Sequence, residues 1–303
     1  MKSLFSRESR ERKYRRSFIY LVPKVLKKEK GALVGISILI IYIIFAIIAP
    51  FIPSSLLRPN IRERDQGPSL KHPLGTDWAG RDNLLMIIRG TPEVLLVAFL
   101  SVIITILVAL TVGLVAGYTG GKTDIILMSL ADVALTIPAF PLIYVLSFFL
   151  KDAMKNPFIM ACILSITSWA GLSRAIRSQV LSLKESEFVE ASRILGLGTF
   201  YIIFREILPC MTPYIVANGL LAAVHAIYAQ IGLYFLGVLP FSPYNWGLML
   251  NLAFGEKGAL YGLTTGRICQ LLAPIIAICL LEVGLTLTSS GLEKLLNPRL
   301  REE

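Results

Sequence analysis

Charge is what this chain of 303 residues has least of. Asp, Glu, Lys and Arg together make up 17%, where soluble domains carry about 25%. The shortfall is concentrated in long uncharged runs, which excludes one large water-soluble core and points to lipid. Histidine is nearly missing, with only His72 and His225, so nothing supports a histidine-rich metal site. The four cysteines, Cys162, Cys210, Cys269 and Cys279, have no CxxC spacing. They read as small buried hydrophobes, not as disulfides or metal ligands. No GxSxG run is present, and no Ser-His-Asp, paired-carboxylate or Cys-His arrangement can be argued from spacing.

A nucleotide site is missing too. The run Gly117-Tyr118-Thr119-Gly120-Gly121-Lys122-Thr123 looks like a phosphate-binding loop, but only three residues separate Gly117 from Gly121. The motif needs four between its first glycine and the Gly-Lys pair, and a preceding β-strand. Here it follows an apolar run, and it reads as a tight turn between two helices. If ATP powers this protein, another polypeptide binds it.

What the chain does have is apolar length. Residues 32–52 form an uncharged run of 21 residues, enough to cross a bilayer as a helix. The run is too long for the h-region of a signal peptide, so an uncleaved anchor is expected. Further spans are expected at 94–117, 125–150, 158–173, about 213–238, and 268–290. The third is interrupted by Asp132, Pro138 and Pro141. The organisation predicted is a basic segment 1–30, an anchor 31–53, a loop 54–91, a five-helix core 92–290 containing a polar loop 174–209, and a tail 291–303.

Net charge is +10, and 11 of the 30 Lys and Arg precede the first apolar run. That placement suits a flank attracted to anionic lipid, not a nucleic-acid groove. With six spans the two termini share a side, which carries 20 Lys and Arg against 10 opposite. The positive-inside rule puts that side in the cytoplasm. No internal repeat supports an inverted-repeat transporter.

Ionisable groups inside spans cost about 2.5–3.5 kcal/mol each and face protein or water. Asp132 and Glu282 read either as substrate or gate contacts or as structural pairs with Arg or a backbone donor. His225 reads as a helix-packing hydrogen bonder or a substrate contact. Tyr228 and Gln230 share its stretch as candidate path residues.

The informative segment is 183–213. Glu185, Glu187 and Glu190 come early, Gly196 and Gly198 break the helix, an apolar patch follows, and Leu208-Pro209 ends it. The outline is a short helix, a glycine turn and a second helix re-entering the membrane. A short exposed helix of this kind suits docking of a soluble partner.

Glu190-Ala191-Ser192, Gly196 and Glu206-Ile207-Leu208-Pro209 at this spacing resemble the EAA loop of ABC-importer permeases. Ser192 replaces the usual second Ala, and Glu206 stands where many members have Ile. Three further runs resemble the C-type subunit of dipeptide/oligopeptide importers. They are His72-Pro73-Leu74-Gly75-Thr76-Asp77 with Gly80-Arg81-Asp82, then Tyr234-Phe235-Leu236-Gly237 with Pro243 and Trp246-Gly247, and Asn297-Pro298-Arg299-Leu300-Arg301. In the first of these, Thr76 or Asp77 is placed to cap a helix leading inward.

The resemblance implies an all-α integral membrane protein of about six helices with a type-I permease core. It also implies a second homologous permease, two ATP-binding subunits carrying ATP and Mg, and an extracytoplasmic substrate-binding protein, with no cofactor on this chain. Glu190, Ala191 and Gly196 would dock the ATPase within a coupling loop that includes Ser192, and Leu208-Pro209 would be the fixed end of the lever. The cargo implied is peptides, or oligosaccharide or nickel. An autonomous channel or secondary transporter, or a membrane scaffold, would leave the glutamate-glycine loop unexplained.

Overall fold

The computed structural model describes residues 29–240, 242–255 and 265–296. The basic residues 1–28, the tail run 297–301 and part of the loop before the last span lie outside them. All the described elements are helical. They are α1 (Lys30–Ile48), α2 (Asn83–Thr119), α3 (Gly121–Thr136), α4 (Ala139–Phe149), α5 (Pro157–Leu164), α6 (Trp169–Lys184), α7 (Glu187–Ile194), α8 (Thr199–Phe235), α9 (Trp246–Phe254) and α10 (Thr265–Leu296).

Four helices are long and apolar enough to cross a bilayer alone: α1 with its following turn, α2, α8 and α10. The pairs α3–α4 and α5–α6 qualify only together, bent by 80° and 62°, which makes six crossings if each bent pair is one span. The first bend sits at Ile137-Pro138, where Pro138 lacks an N–H and Ile137 is extended with ψ 123°. The second contains neither proline nor glycine. There Ser165 Oγ donates to Ala161 O at 2.7 Å and Ser168 Oγ to Leu164 O at 3.1 Å. Hydroxyls thus compete for carbonyls that a continuous helix would use. The expected fourth span, 158–173, is therefore broken inside, and α6 runs on past Ser173 to Lys184.

Glycine seams let helices approach closely, as packing in lipid requires. A Cβ added at Gly35 of α1 would lie 2.8 Å from Gly284 O of α10, and one at Gly291 of α10 would lie 2.4 Å from Ala32 Cβ of α1. On α2, a Cβ at Gly113 would lie 2.6 Å from Ser173 O, and one at Gly117 2.8 Å from Val180 Cβ of α6. Tyr42 donates to Ala277 O at 2.5 Å, and Arg89 Nη1 donates to Ala49 O at 2.6 Å, occupying a carbonyl at the end of α1. Lys294 pairs with Glu29 at 3.0 Å, so the described chain begins and ends at one end of the bundle.

Two sequence expectations change. The cap of α2 is Asp82, not Thr76 or Asp77: its Oδ1 accepts from Leu85 N at 3.0 Å. Asp77 instead accepts from Ala79 N and Arg81 N and pairs with the Arg81 guanidinium at 2.6 Å, holding the loop at Gly80. The cysteines are not buried within the chain. Cys162, Cys210 and Cys279 are exposed and Cys269 is partly buried.

Candidate functional site

The two bends converge on a cavity of about 870 Å³. The first contributes Ile137, Pro138 and Phe140, and the second Thr167, Ser168 and Gly171. Thr105 comes from α2, and Tyr214, Asn218, Leu221, His225 and Tyr228 from α8. Those α8 positions recur three and four apart, so they form one stripe of a single helix face. Among the described residues the lining holds hydroxyls, one amide and one imidazole on apolar walls, with no Asp, Glu, Lys or Arg. Such a surface can hydrogen-bond a polar solute without imposing a charge on it.

Of the four candidate path residues, the structure puts His225 and Tyr228 in this cavity. Gln230 is 0% exposed. Two residues on from Tyr228 it has turned about 200° around the helix, away from the cavity. Glu282 is buried on α10 and reaches the cavity wall only through its hydrogen bond with Tyr228. Asp132 pairs with Arg174, the structural reading of the two.

At the opposite end from α9, α7 projects as a separate short helix. It closes with Gly196 at φ +72°. Leu197 N donates to Ser192 O at 3.1 Å and Gly196 N to Arg193 O at 2.9 Å, the paired bonds of a Schellman turn. Glu190, Ala191 and Gly196 lie on the exposed side, while Val189 and Ser192 are buried against the bundle. Beside them stands an apolar cap in which Ile194 is 81% and Phe200 80% exposed, with the rings of Phe200 and Phe204 stacked at 6.3 Å.

The entry to α8 is π-helical over Ile202–Ile207, just before Leu208-Pro209. Pro209 has no N–H for the carbonyl four residues back, so the regular ladder cannot be kept there. Leu208 is half-buried and Pro209 exposed.

The basic residues of α6 are engaged in holding the bundle. Arg177 makes two 2.5 Å bonds to Asp124 of α3, and Lys184 donates to Tyr118 O at 2.8 Å. The Arg193 guanidinium of α7 lies 5.8 Å from the Tyr118 ring centre, tying α7 to the end of α2. The glycine-rich run after Tyr118 is the turn between α2 and α3, with Gly120 at φ +67° and Gly121 at +59°.

Residues 109–302 match the family of binding-protein-dependent transport system inner membrane components. Residues 17–68 match the N-terminal TM domain of oligopeptide transport permease C. The chain belongs to this family of transport permeases. The permease is 34% identical over 278 residues to the dipeptide transport system permease protein DppC of Bacillus subtilis, covering 91% of this chain and 84% of the relative. It is 30% identical to the oligopeptide transport system permease protein OppC of the same organism over 91% and 88%. For OppC of Lactococcus lactis subsp. cremoris the identity is 31%, over 78% and 81%.

One residue of the permease escaped sequence reading. Glu93, one position after Pro92 near the start of α2, accepts from Tyr234 Oη at 2.8 Å, Ser242 Oγ at 2.8 Å and Asn245 Nδ2 at 3.1 Å. It fastens the α8–α9 connection to α2, close to where Trp246 Nε1 donates to Ile87 O. The available signal was a lone carboxylate heading an apolar run, which an apolar-span search discards as flanking loop.

Proposed function

We propose that this permease carries peptides across the plasma membrane by alternating access, as one of two homologous permease subunits around a shared path. Two ATP-binding subunits would bind ATP and Mg and dock at α7, and an extracytoplasmic binding protein would deliver cargo at the α9 end. Both termini would be cytoplasmic, in keeping with the 20 to 10 split of Lys and Arg. This chain itself would do no covalent chemistry.

The observation that carries the reading is the cavity at the two broken spans. Its uncharged, hydrogen-bonding lining suits the amides of a peptide. Among the described residues it offers one imidazole and no carboxylate or thiol, which speaks against nickel as the cargo. The relatives named as dipeptide and oligopeptide permeases point the same way. Glu190, Ala191 and Gly196, all exposed, are the proposed docking residues, Ser192 supports them from beneath, and Leu208-Pro209 anchors the lever. ATP-driven closure would bring the docking helices together and turn the path outward, and the cargo's differential affinity for the two states would set the direction.

The test is reconstitution of the permease with its partner subunits and binding protein in liposomes, offering a labelled tetrapeptide, a labelled oligosaccharide or nickel ion. Peptide uptake that needs both ATP and the binding protein is expected. Uptake by the permease alone would replace this reading with an autonomous channel or secondary transporter.

A further inference from the structure

Ser192 and Glu206 are the two positions where the 190–209 loop departs from the pattern it otherwise resembles, and in the fold they meet. Ser192 is wholly buried on the inner side of α7, and Glu206 lies within the π-helical entry to α8. Ser192 Oγ is 3.2 Å from Glu206 Oε1 and 2.9 Å from Phe188 O in its own helix. A single hydroxyl proton therefore has two acceptors on two different elements. The carbonyl stays in reach wherever α7 goes, whereas the carboxylate is in reach only while α7 and the base of α8 keep this relation. The carbonyl is the nearer acceptor at 2.9 Å, and the carboxylate at 3.2 Å is the one that links the two elements. An Ala facing an Ile at these positions could meet only by apolar contact, and a Glu facing Ala, or a Ser facing Ile, would have no such bond.

We infer that Ser192 and Glu206 are a positioning pair, a strut that carries displacement of α7 into α8. The inference rests on the reading of α7 as the ATPase-docking helix. Val189, Ile202 and Ile207 share one apolar cluster below the strut, which keeps α7 seated. That seat reaches from α7 across the π-helical turn by apolar contact alone. The strut adds a polar, directional tie beside it, since Glu206 lies near the far end of the turn, next to Ile207 and Leu208. From there α8 runs continuously to Tyr214, Asn218, His225 and Tyr228 in the cavity. A push on α7 thus reaches the cavity wall along one continuous helix.

The test follows motion at the cavity and does not require the cargo to be known. The permease, with its native cysteines changed to Ala and Asn218→Cys added, is reconstituted with its partner permease and ATPase subunits. Labelling of the thiol by a small maleimide is compared before and after trapping with ATP and vanadate. The ATP-dependent change in labelling is expected to fall about fivefold in Ser192→Ala and in Glu206→Ile, the scale of one lost hydrogen bond. It is expected to return to within about twofold of the parent in S192A/E206I, where the apolar pair is restored. Recovery of ATPase subunits with the permease should stay unchanged throughout. Effects that simply multiply in the double variant would overturn the strut while leaving docking intact. Loss of ATPase recovery in either single variant would also overturn it, because the pair would then serve docking itself. Unchanged ATPase recovery in Gly196→Asp would instead remove the docking reading underneath.

Discussion

At Gly196 the backbone turns with φ +72°, and a Cβ built there would meet none of the described residues within 4 Å. A side chain at this position costs on the order of 1 kcal/mol of backbone strain and no internal clash. Gly196→Asp should therefore leave membrane abundance and melting nearly unchanged while abolishing co-purification of the ATPase subunits and ATP-driven uptake. Normal uptake would sink the docking assignment. Glu93 presents the opposite case, since its three donors come from the permease itself. Glu93→Ala leaves the Tyr234 hydroxyl and the Asn245 amide, both buried, without their acceptor. Stability should fall by about 1–3 kcal/mol, read as a lower unfolding temperature in detergent, with Glu93→Gln losing less. The short helix and its turn at Gly196 were legible because a glycine turn and the acidic start of a helix are local chemistry. Glu93 was not, because all three of its partners are far away in sequence.

Among elements, the seam between α2 and α6 leaves no room for a side chain. A Cβ at Gly113 already falls 2.6 Å from the Ser173 carbonyl. Gly113→Leu should force the helices apart and lower the yield of folded protein on size-exclusion chromatography, with Gly113→Ala intermediate. Equal yields for all three would mean that the seam is not held at this distance in the membrane. The run of spans was readable from apolar length alone, and the bend at Pro138 from the proline. The bend at Ser165–Ser168 carries no breaker residue. It depends on Ser165 Oγ reaching Ser101 O of α2 at 3.0 Å as well as its own helix, a tertiary contact that sequence spacing cannot announce. The same limit explains Gln230: a polar residue in an apolar helix is visible in sequence, but the side it faces depends on the neighbours.

For the whole molecule, the charge split and the pairing of Glu29 with Lys294 define two ends. Leu70 and Leu195 lie on loops at opposite ends, and both are well exposed. In a background without native cysteines, Leu70→Cys should react with an impermeant maleimide added outside the cell, and Leu195→Cys only after the membrane is opened. Labelling of both from one side would reverse the six-crossing arrangement. That the chain is built of helices long and apolar enough to cross a membrane was legible in composition. The cavity was not, since it exists only where two separate bends meet.

The seam between Gly35 and Gly284 joins residues roughly 250 positions apart, and a ribosome adding 5–20 residues per second takes on the order of 10–50 s to bridge that gap. Throughout that interval the first helix to enter the membrane has no mate for its grooved side. Completion of the protein therefore awaits its last helix. A nascent chain stalled before Gly284 would leave that side open to whatever other small-faced helix drifts past, which makes translation rate part of how faithfully this molecule is built.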